Sequence, residues 1–272
     1  GGFTSIGGQT RNRIARLDLL IGSSDLTFDP NAASTVRALA LNGTDLYIGG
    51  DFNTVGGLTH PYLAKIDTTT GSVDADLNLN IGAYVYSIVL SEEYIYVGTS
   101  SDYDLDYFIG PYTGTGVEID KETGTRNTSM PIVNGNILTT ISDGAGGWYL
   151  GGSFTQVGAS SRNYLAHVLS DGSVDPTFNP APNSWVYSLA LSGGTLYTGG
   201  NFTSIGGQTR NRIAKMDATT GVVDLTFNPG AGSTVYTIQI TSNDLYAGGF
   251  FTTIGGQARK YLAKLDATTG VV

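Results

Sequence analysis

The stretch LYTGGNFTSIGGQTRNRIAKMDATTGVVDLTFNP, residues 196–229, decides the fold, because most of the chain consists of looser copies of it. Together with the preceding WVYSLALSGGT it forms a unit of about 49 residues. Self-similarity at a fixed period of about 20 to 50 residues indicates an architecture built from one repeated supersecondary unit. Each copy is marked by a phenylalanine four positions before a Gly-Gly or Gly-Ala pair, at Phe3, Phe52, Phe154, Phe202 and Phe251.

Each unit divides into four short segments with β character. The first, residues 186–191 in the clearest copy, alternates with period two and carries no charge, so we expect both of its faces to be buried between neighbouring sheets. The second, residues 196–200, ends in Gly-Gly, which indicates a bulge or a close approach of another backbone. The third, residues 212–217, alternates basic and apolar residues and leads into an Asp-x-x-x-Gly turn. The fourth, residues 223–229, ends at a proline that cannot continue a strand ladder.

The sequence contains six third segments but only five first segments, so it holds five nearly complete units and one partial unit. We number these units repeats 1 to 6 by their third segments, which begin at Ile14, Tyr62, Val117, Tyr164, Ile213 and Tyr261. Four strands in about 50 residues, without any helical periodicity, are typical of β-propeller blades. We therefore predict an all-β fold, a β-propeller of four-stranded blades forming a single domain over residues 1–272. A six-bladed ring is favoured, with five or seven blades as the alternatives.

Composition narrows the classes of function. Glycine accounts for 39 of 272 residues, about double its usual share of ~7%, and its recurrence at fixed positions indicates turns in an ordered fold. The net charge of −9 argues against a nucleic-acid partner, and the absence of cysteine excludes disulfides and thiolate metal sites. No apolar run reaches the ~18 residues that a membrane helix needs. Because the sequence begins and stops inside repeats, we expect it to be an excerpt of a longer protein.

Two units carry a family resemblance. LYIGGDF at 46–52 followed by YLAKID at 62–67, and LYTGGNF at 196–202 followed by IAKMD at 213–217, resemble the delta-sixty-type β-propeller repeat and are also similar to kelch-like repeats. The resemblance covers the chain except repeat 3. It implies a non-enzymatic extracellular interaction domain of a large secreted or cell-surface bacterial protein. It implies no catalytic residue, because the motif residues of that family are structural.

Repeat 3 departs from the pattern, since an insertion at 99–116, TSSDYDLDYFIGPYTGTG, replaces the Gly-Gly-x-Phe motif. A repeat that breaks its own rule is where function is expected. Asp102, Asp104 and Asp106 have the D-x-D-x-D spacing that lets three carboxylates converge on Ca²⁺. The glycine and the final acid of an EF-hand-type loop are replaced here by tyrosine and threonine. The sequence thus offers one calcium-site hypothesis, with a solvated acidic insertion as its alternative.

The two histidines give no sign of catalysis. His60 aligns with Arg210 and His167 aligns with Lys215, so we interpret both as ordinary surface cations. The sequence has no nucleophile elbow, metalloprotease motif or phosphate-binding loop to accompany them. We therefore predict that this chain is not an enzyme and needs no cofactor beyond the hypothetical calcium ion.

A set of arginines falls in the corresponding loop of successive repeats. Such a set forms either a positive rim for an acidic glycan or protein, or edge charges that discourage strand pairing, and we favour the second interpretation. Its members are Arg11, Arg13, Arg162, Arg210, Arg212 and Arg259.

The repeats predict a rigid scaffold with variable loops, and the family resemblance implies that it is a non-enzymatic secreted or cell-surface protein that binds protein or polysaccharide through loops on one rim. A lectin-like propeller is one alternative. It expects aromatic and polar residues repeated in one loop, which the sequence does not show, although Trp185 follows a proline-rich loop and is placed to stack on a sugar. Trp148 and Trp185 are both interpreted as core or ring-face residues, with sugar stacking as the alternative for Trp185. A purely structural spacer is the other alternative. A propeller hydrolase or lyase is not favoured, because the first segments lack acids and histidines.

Overall fold

The computed structural model of this protein contains only strands and turns in the part of the chain that it describes. It describes residues 1–77, 79, 81–100, 115–121 and 123–272. Within these ranges no helix is long and apolar enough to cross a membrane. The chain divides into two compact units, Gly1–Thr128 and Ser129–Val272, which contain repeats 1 to 3 and repeats 4 to 6. The all-β class is confirmed, and the single domain over residues 1–272 stays a prediction.

Repeats 2 to 6 each form an antiparallel main sheet whose strands lie side by side in chain order. The first strands are Val36–Asn42, Val85–Leu90, Ile137–Ser142, Val186–Ser192 and Val235–Ile240. The second strands are Asp45–Gly50, Tyr94–Thr99, Trp148–Gly152, Thr195–Gly200 and Asp244–Gly249. The third strands are Leu63–Asp67, Gly116–Asp120, Leu165–Val168, Ile213–Asp217 and Leu262–Asp266.

The fourth segment lies beside the third strand but is mostly reduced to a single bridge. In repeat 3 it forms the short strand Arg126–Asn127. In repeat 5, directly after the bridge, the Asp224 carboxylate accepts hydrogen bonds from the backbone and hydroxyl of Thr226, at 2.8 and 2.7 Å. This local side-chain bonding turns the backbone away from the ladder. The single bridges are Leu17–Ser24, Ile66–Val73, Val168–Val174 and Met216–Val223.

A two-strand hairpin precedes the third segment in five repeats, in addition to the four predicted segments. In repeat 5 the hairpin turn contains Gly206 and Gly207, with φ of 58° and 72°. Tight hairpins favour turns with positive φ at both central positions, which glycine adopts without steric cost. The hairpins pair Ser5–Ile6 with Gln9–Thr10, Thr54–Val55 with Leu58–Thr59, Gln156–Val157 with Ser160–Ser161, Ser204–Ile205 with Gln208–Thr209, and Thr253–Ile254 with Gln257–Ala258.

The glycine pair that ends the second strand of repeats 2, 4, 5 and 6 allows two close approaches, as its sequence position predicted. A Cβ added to Gly199 would lie 2.8 Å from Cγ1 of Val235, which begins the next repeat. A Cβ added to Gly200 would lie 2.3 Å from the carbonyl oxygen of Trp185 in its own repeat. The approach to the next repeat recurs at Gly49 with Val85 and at Gly151 with Val186.

The hydrophobic core lies between consecutive repeats. The Phe that follows the glycine pair is almost completely buried at Phe52, Phe154, Phe202 and Phe251. Separate core clusters join repeats 1 and 2, 2 and 3, 4 and 5, and 5 and 6. This packing of one sheet on the next is what a blade architecture requires.

The prediction that both faces of the first segment are buried is wrong for repeat 2. Leu39 and Leu41 are 59% and 63% exposed. In repeats 3, 5 and 6 the first strand packs against the second strand of the preceding repeat. Repeat 1 contributes its hairpin and its third and fourth segments, and it has no such strand in this sequence.

Candidate functional site

Four aromatic side chains of repeats 5 and 6 form a continuous exposed row, and we call Trp185, Tyr187, Tyr236 and Phe250 the aromatic row. The ring centroids lie 6.1 Å apart from Trp185 to Tyr187, 4.9 Å from Tyr187 to Tyr236, and 5.2 Å from Tyr236 to Phe250. Trp185, Tyr236 and Phe250 are 46%, 42% and 67% exposed. The aromatic side chains on this surface therefore contact one another and are not isolated exposed residues.

The positions at which the first strands of repeats 5 and 6 begin explain why these rings lie on one surface. Val186 and Val235 begin their strands as buried core residues, so Tyr187 and Tyr236, one position later, point to the opposite side. Tyr187 and Tyr236 are themselves the unpaired residues of a bulge opposite the glycine pair, where the pairing register shifts. Phe250 is placed beside them because its backbone N–H donates to the Thr234 carbonyl at 2.9 Å.

Small polar groups border the aromatic row. Asn201 holds in repeat 5 the position that Phe250 holds in repeat 6. Its Oδ1 accepts a hydrogen bond from the Thr234 hydroxyl at 3.0 Å, and its backbone N–H donates to the Trp185 carbonyl at 2.9 Å. Burial and the nearby Tyr236 hydroxyl raise the pKa of Tyr187, so its hydroxyl stays a hydrogen-bond donor at neutral pH.

The same positions carry charge in repeat 2. Arg37 corresponds to Tyr187 and Asp51 corresponds to Asn201. The Arg37 guanidinium donates to both oxygens of the Asp51 carboxylate at 2.6 and 2.7 Å, and its centre lies 5.2 Å from the Tyr86 ring centroid. The hydrogen bond from Arg37 to Asp51 raises the pKa of Arg37. One set of scaffold positions thus presents different chemistry in different repeats, which is how rigid repeat folds vary a binding surface.

The chemistry of the aromatic row suits binding. Its members have no acid or base that titrates near neutral pH, and Asn201 beside it is an amide. Tyrosine and tryptophan combine a large apolar body with a polar tip, and they dominate the energetic centres of interfaces. Trp148, in contrast, is 2% exposed and is confirmed as a core residue.

The arginine set is structural, which corrects its interpretation as edge charges. Arg210 is 5% exposed and donates from its two terminal nitrogens to the carbonyls of Thr209 and Asp224, at 2.8 and 2.9 Å. Each such arginine therefore fastens its hairpin to the fourth segment of its repeat. Arg11 and Arg162 are buried in the same way and make the corresponding bonds to the carbonyls of Asp25 and Asp175. Arg13 and Arg212 donate to loop carbonyls at Ala32 and Ala231, and Arg259 is exposed.

Both histidines are buried, so their interpretation as surface cations is wrong. His60 is 2% exposed and occupies the position of the buried arginines. The imidazole of His167 contacts Asp175 through Nδ1 at 2.9 Å and Asp143 through Nε2 at 3.1 Å. It also stacks on Tyr149 with ring centroids 4.3 Å apart. Because carboxylates occupy both ring nitrogens, this histidine has a clear structural role.

The predicted calcium ligands Asp102, Asp104 and Asp106 lie outside the described residues, as does most of the insertion 99–116. Within the part of the chain that is described, no group of three or more acidic, histidine or cysteine side chains is placed to hold a metal ion. The calcium site therefore stays a prediction.

Antiparallel main sheets that follow one another along the chain, most of them edged by a fourth segment and packed on a neighbouring repeat within their compact unit, are typical of a β-propeller repeat protein. Four stretches match the family described as "Domain of unknown function (DUF5122) beta-propeller", at residues 1–28, 46–76, 146–178 and 192–227. Among curated proteins, none matches this chain.

Solved structures show the same fold at low sequence identity. The extracellular domain of the putative one component system BT4673 from B. thetaiotaomicron is 18% identical with a TM-score of 0.57, over 93% of this chain and 30% of that chain. A chain of the nidogen/laminin complex is 12% identical with a TM-score of 0.55, over 97% of this chain and 88% of that one. A chain of the mitotic checkpoint complex is 17% identical with a TM-score of 0.58, over 96% and 73%. This chain thus spans less than a third of the BT4673 chain.

Proposed function

We propose that this protein is a non-enzymatic secreted or cell-surface scaffold that binds its partner through the aromatic row. The observation that carries the proposal is a row of four contacting rings on one surface of repeats 5 and 6, of which Trp185, Tyr236 and Phe250 are exposed and Tyr187 is half-buried. Contiguous apolar patches on a folded surface commonly mark interaction sites, whereas single exposed apolar residues do not.

The comparisons support the general part of this proposal. One similar structure is an extracellular domain, and two others come from protein complexes, nidogen with laminin and the mitotic checkpoint complex. The resemblance to delta-sixty-type and kelch-like repeats favours a bacterial surface protein of several domains, with adhesion as its role. A propeller hydrolase is disfavoured because the described first strands place no acid or histidine in the sheets.

A lectin-like role is the second candidate, and the aromatic row is the observation that favours it. Its rings offer apolar faces, while Asn201 and the tyrosine hydroxyls offer neutral hydrogen-bonding groups. That combination suits an uncharged polysaccharide, since no counter-charge is required of the ligand.

The aromatic row is tested by a double variant, Trp185→Ala with Tyr236→Ala. The wild-type chain is first screened against defined neutral polysaccharides and purified extracellular proteins, and the affinity for any ligand found is measured by calorimetry. Central aromatic residues of interfaces contribute about 2 kcal/mol or more each, so we expect at least a thirtyfold loss of affinity in the double variant.

Tyr246→Ala is the matched control, since Tyr246 is a similarly exposed tyrosine of repeat 6 that makes no ring contact within the row. It should bind as the wild type does. Equal binding by the double variant would remove the aromatic row from the proposal, and failure of the wild type to bind any ligand would favour a structural spacer.

A further inference from the structure

The Asp-x-x-x-Gly turn after the third segment has the same geometry in repeats 1, 2, 5 and 6 but a different tip in repeat 1. In repeat 5 the Asp217 carboxylate accepts bonds from the backbone N–H groups of Thr219 and Thr220, at 3.1 and 2.7 Å. In repeat 1 the Asp18 carboxylate accepts the equivalent bonds from Leu20 and Ile21, at 2.8 and 3.0 Å. The tip of one rigid turn therefore changes from hydroxyl side chains to aliphatic ones.

This aliphatic tip is almost fully exposed. Leu20 and Ile21 are 94% and 78% exposed, and Leu19 beside them is completely exposed. The position of Leu19 is covered in repeat 5, where the backbone of Ala218 donates to the Gly194 carbonyl before the second strand. The next two positions, Thr219 and Thr220, are exposed in that complete repeat. The exposure of Leu20 and Ile21, unlike that of Leu19, therefore belongs to the turn itself.

The backbone N–H groups of Leu20 and Ile21 need no outside hydrogen-bond partner. Asp18 accepts from Leu20 and Ile21 through its carboxylate and from Gly22 through its carbonyl at 2.9 Å. A segment that enters the apolar part of a bilayer must have its N–H groups satisfied internally. A protein partner with a polar rim would find no free donor on these residues, whereas a lipid surface requires only apolar side chains.

We propose that the Leu20–Ile21 tip inserts into the surface of a neutral lipid bilayer and helps to hold repeat 1 against it. Charge favours zwitterionic lipid, because the chain has a net charge of −9 and the nearest cation, Arg16, is paired with Asp25 at 2.6 Å. Anionic lipid attracts clusters of unpaired basic residues, which this turn lacks.

The expected attachment is weak and reversible. A myristoyl chain, which has more apolar carbons than these two side chains together, binds bilayers with a constant of only about 10⁴ M⁻¹. We therefore expect a binding constant on the order of 10² M⁻¹, so half of the protein should be bound at about 10 mM lipid. Contact with a second surface, such as a ligand held by the same membrane, would raise the effective affinity.

The experiment measures co-sedimentation of the full chain with phosphatidylcholine vesicles at 1 to 20 mM lipid. The test variant is Leu20→Thr with Ile21→Thr, which copies the tip of repeats 5 and 6 and keeps the turn. We expect the wild type to sediment and the variant to lose at least fivefold in bound fraction, with circular dichroism unchanged. Replacing part of the phosphatidylcholine with phosphatidylserine should not increase binding.

Leu225→Thr is the matched control, because Leu225 is an equally aliphatic residue that is 68% exposed outside this turn. It should sediment as the wild type does. The proposal is overturned if the wild type does not sediment at 20 mM lipid or if the control loses as much binding as the tip variant. It is also overturned if the tip instead drives self-association without lipid, measured by analytical ultracentrifugation.

Discussion

The Nδ1 atom of His167 lies 2.9 Å from Oδ2 of Asp175, and its other ring nitrogen lies 3.1 Å from Asp143. In repeats 2 and 5 a lysine holds the position of His167, and Lys215 reaches the corresponding Asp224 at 3.1 Å. A side-chain nitrogen on the third strand thus contacts an aspartate of the fourth segment in each of these repeats. The histidine version differs in holding a second carboxylate from the loop before the second strand.

Replacing His167 by alanine should destabilise the protein by about 3 kcal/mol, because it leaves two largely buried carboxylates without their partner. Replacing it by lysine should restore most of that stability, since the other repeats pair lysine with aspartate here. Urea unfolding of the two variants gives the comparison. Equal losses in both would show that ring stacking on Tyr149 matters more than the charge contacts.

Acid should destabilise the fold through its hydrogen-bonded aspartates. The Thr226 hydroxyl and backbone, with Lys215, outweigh burial and lower the pKa of Asp224 to about 2. Bonds from Thr177 and His167 likewise outweigh burial and lower the pKa of Asp175. A lowered folded-state pKa gives stability that is present above the ordinary value near 3.8 and is lost as pH falls through the folded value.

The thermal midpoint should therefore change little from pH 7 to pH 5 on account of these aspartates and fall steeply from pH 4 to pH 2. Asp224→Asn should have a shallower fall, because one linked carboxylate is removed. A variant with the wild-type slope would show that Asp224 does not contribute to the acid transition.

Gly200→Ala should destabilise the protein by about 2 to 3 kcal/mol through overpacking. The new Cβ would meet the carbonyl oxygen of Trp185 at 2.3 Å, and that carbonyl already accepts the Asn201 backbone N–H at 2.9 Å. Gly207→Ala is the control, because its Cβ meets nothing within 4 Å and only its φ of 72° is strained. We expect about 1 kcal/mol for the control. Chemical denaturation measures both, and a larger loss in the control would contradict the crowding argument.

Tyr197→Phe should cost about 1 kcal/mol by removing a hydrogen bond between consecutive repeats. The Tyr197 hydroxyl donates to the Ala267 carbonyl at 2.9 Å, and Tyr149 donates to the Ala218 carbonyl at 2.7 Å in the same way. Burial raises the pKa of Tyr149 to about 12, which keeps this donor protonated. Tyr246→Phe, at an exposed site, should change stability by less than about 0.5 kcal/mol. Differential scanning calorimetry would reveal indistinguishable midpoints if the inter-repeat bonds contribute nothing.

Asp104→Ala tests the calcium prediction for the insertion. If Asp102, Asp104 and Asp106 bind Ca²⁺, the wild type should bind with a dissociation constant of about 10⁻⁴ to 10⁻³ M, as weaker extracellular sites do. The variant should lose calorimetric binding, while Asp171→Ala, at an exposed turn of repeat 4, should retain it. A wild type that shows no heat of binding at millimolar Ca²⁺ leaves the acidic insertion without a metal role.

Much of the fold was predictable because certain residue types act mainly on the backbone next to them. The repeated phenylalanine gave the period, and Asp217 with Gly221 gave the turn, because both act on their own neighbouring backbone. The hairpin at Gly206 and Gly207 was also predictable in principle, since paired glycines between short β segments favour that turn. The position of this glycine pair also marks the repeat period.

Other features depended on contacts between distant residues. In five repeats, all except repeat 3, a residue at the start of the third segment has positive φ although it is not glycine, and only the surrounding fold can hold that strained conformation. It is Arg13, Tyr62, Tyr164, Arg212 or Tyr261, according to the repeat.

The sequence by itself determined the all-β class, the repeat length and the places where backbones approach, because period, glycine placement and turn chemistry act locally. Only the tertiary structure decided that Arg210 and His167 are buried and that Trp185, Tyr187, Tyr236 and Phe250 meet on one surface. Charge and aromatic character do not reveal exposure. Exposure depends on which strand packs against a side chain, and for these residues that strand or loop is many positions away in the chain.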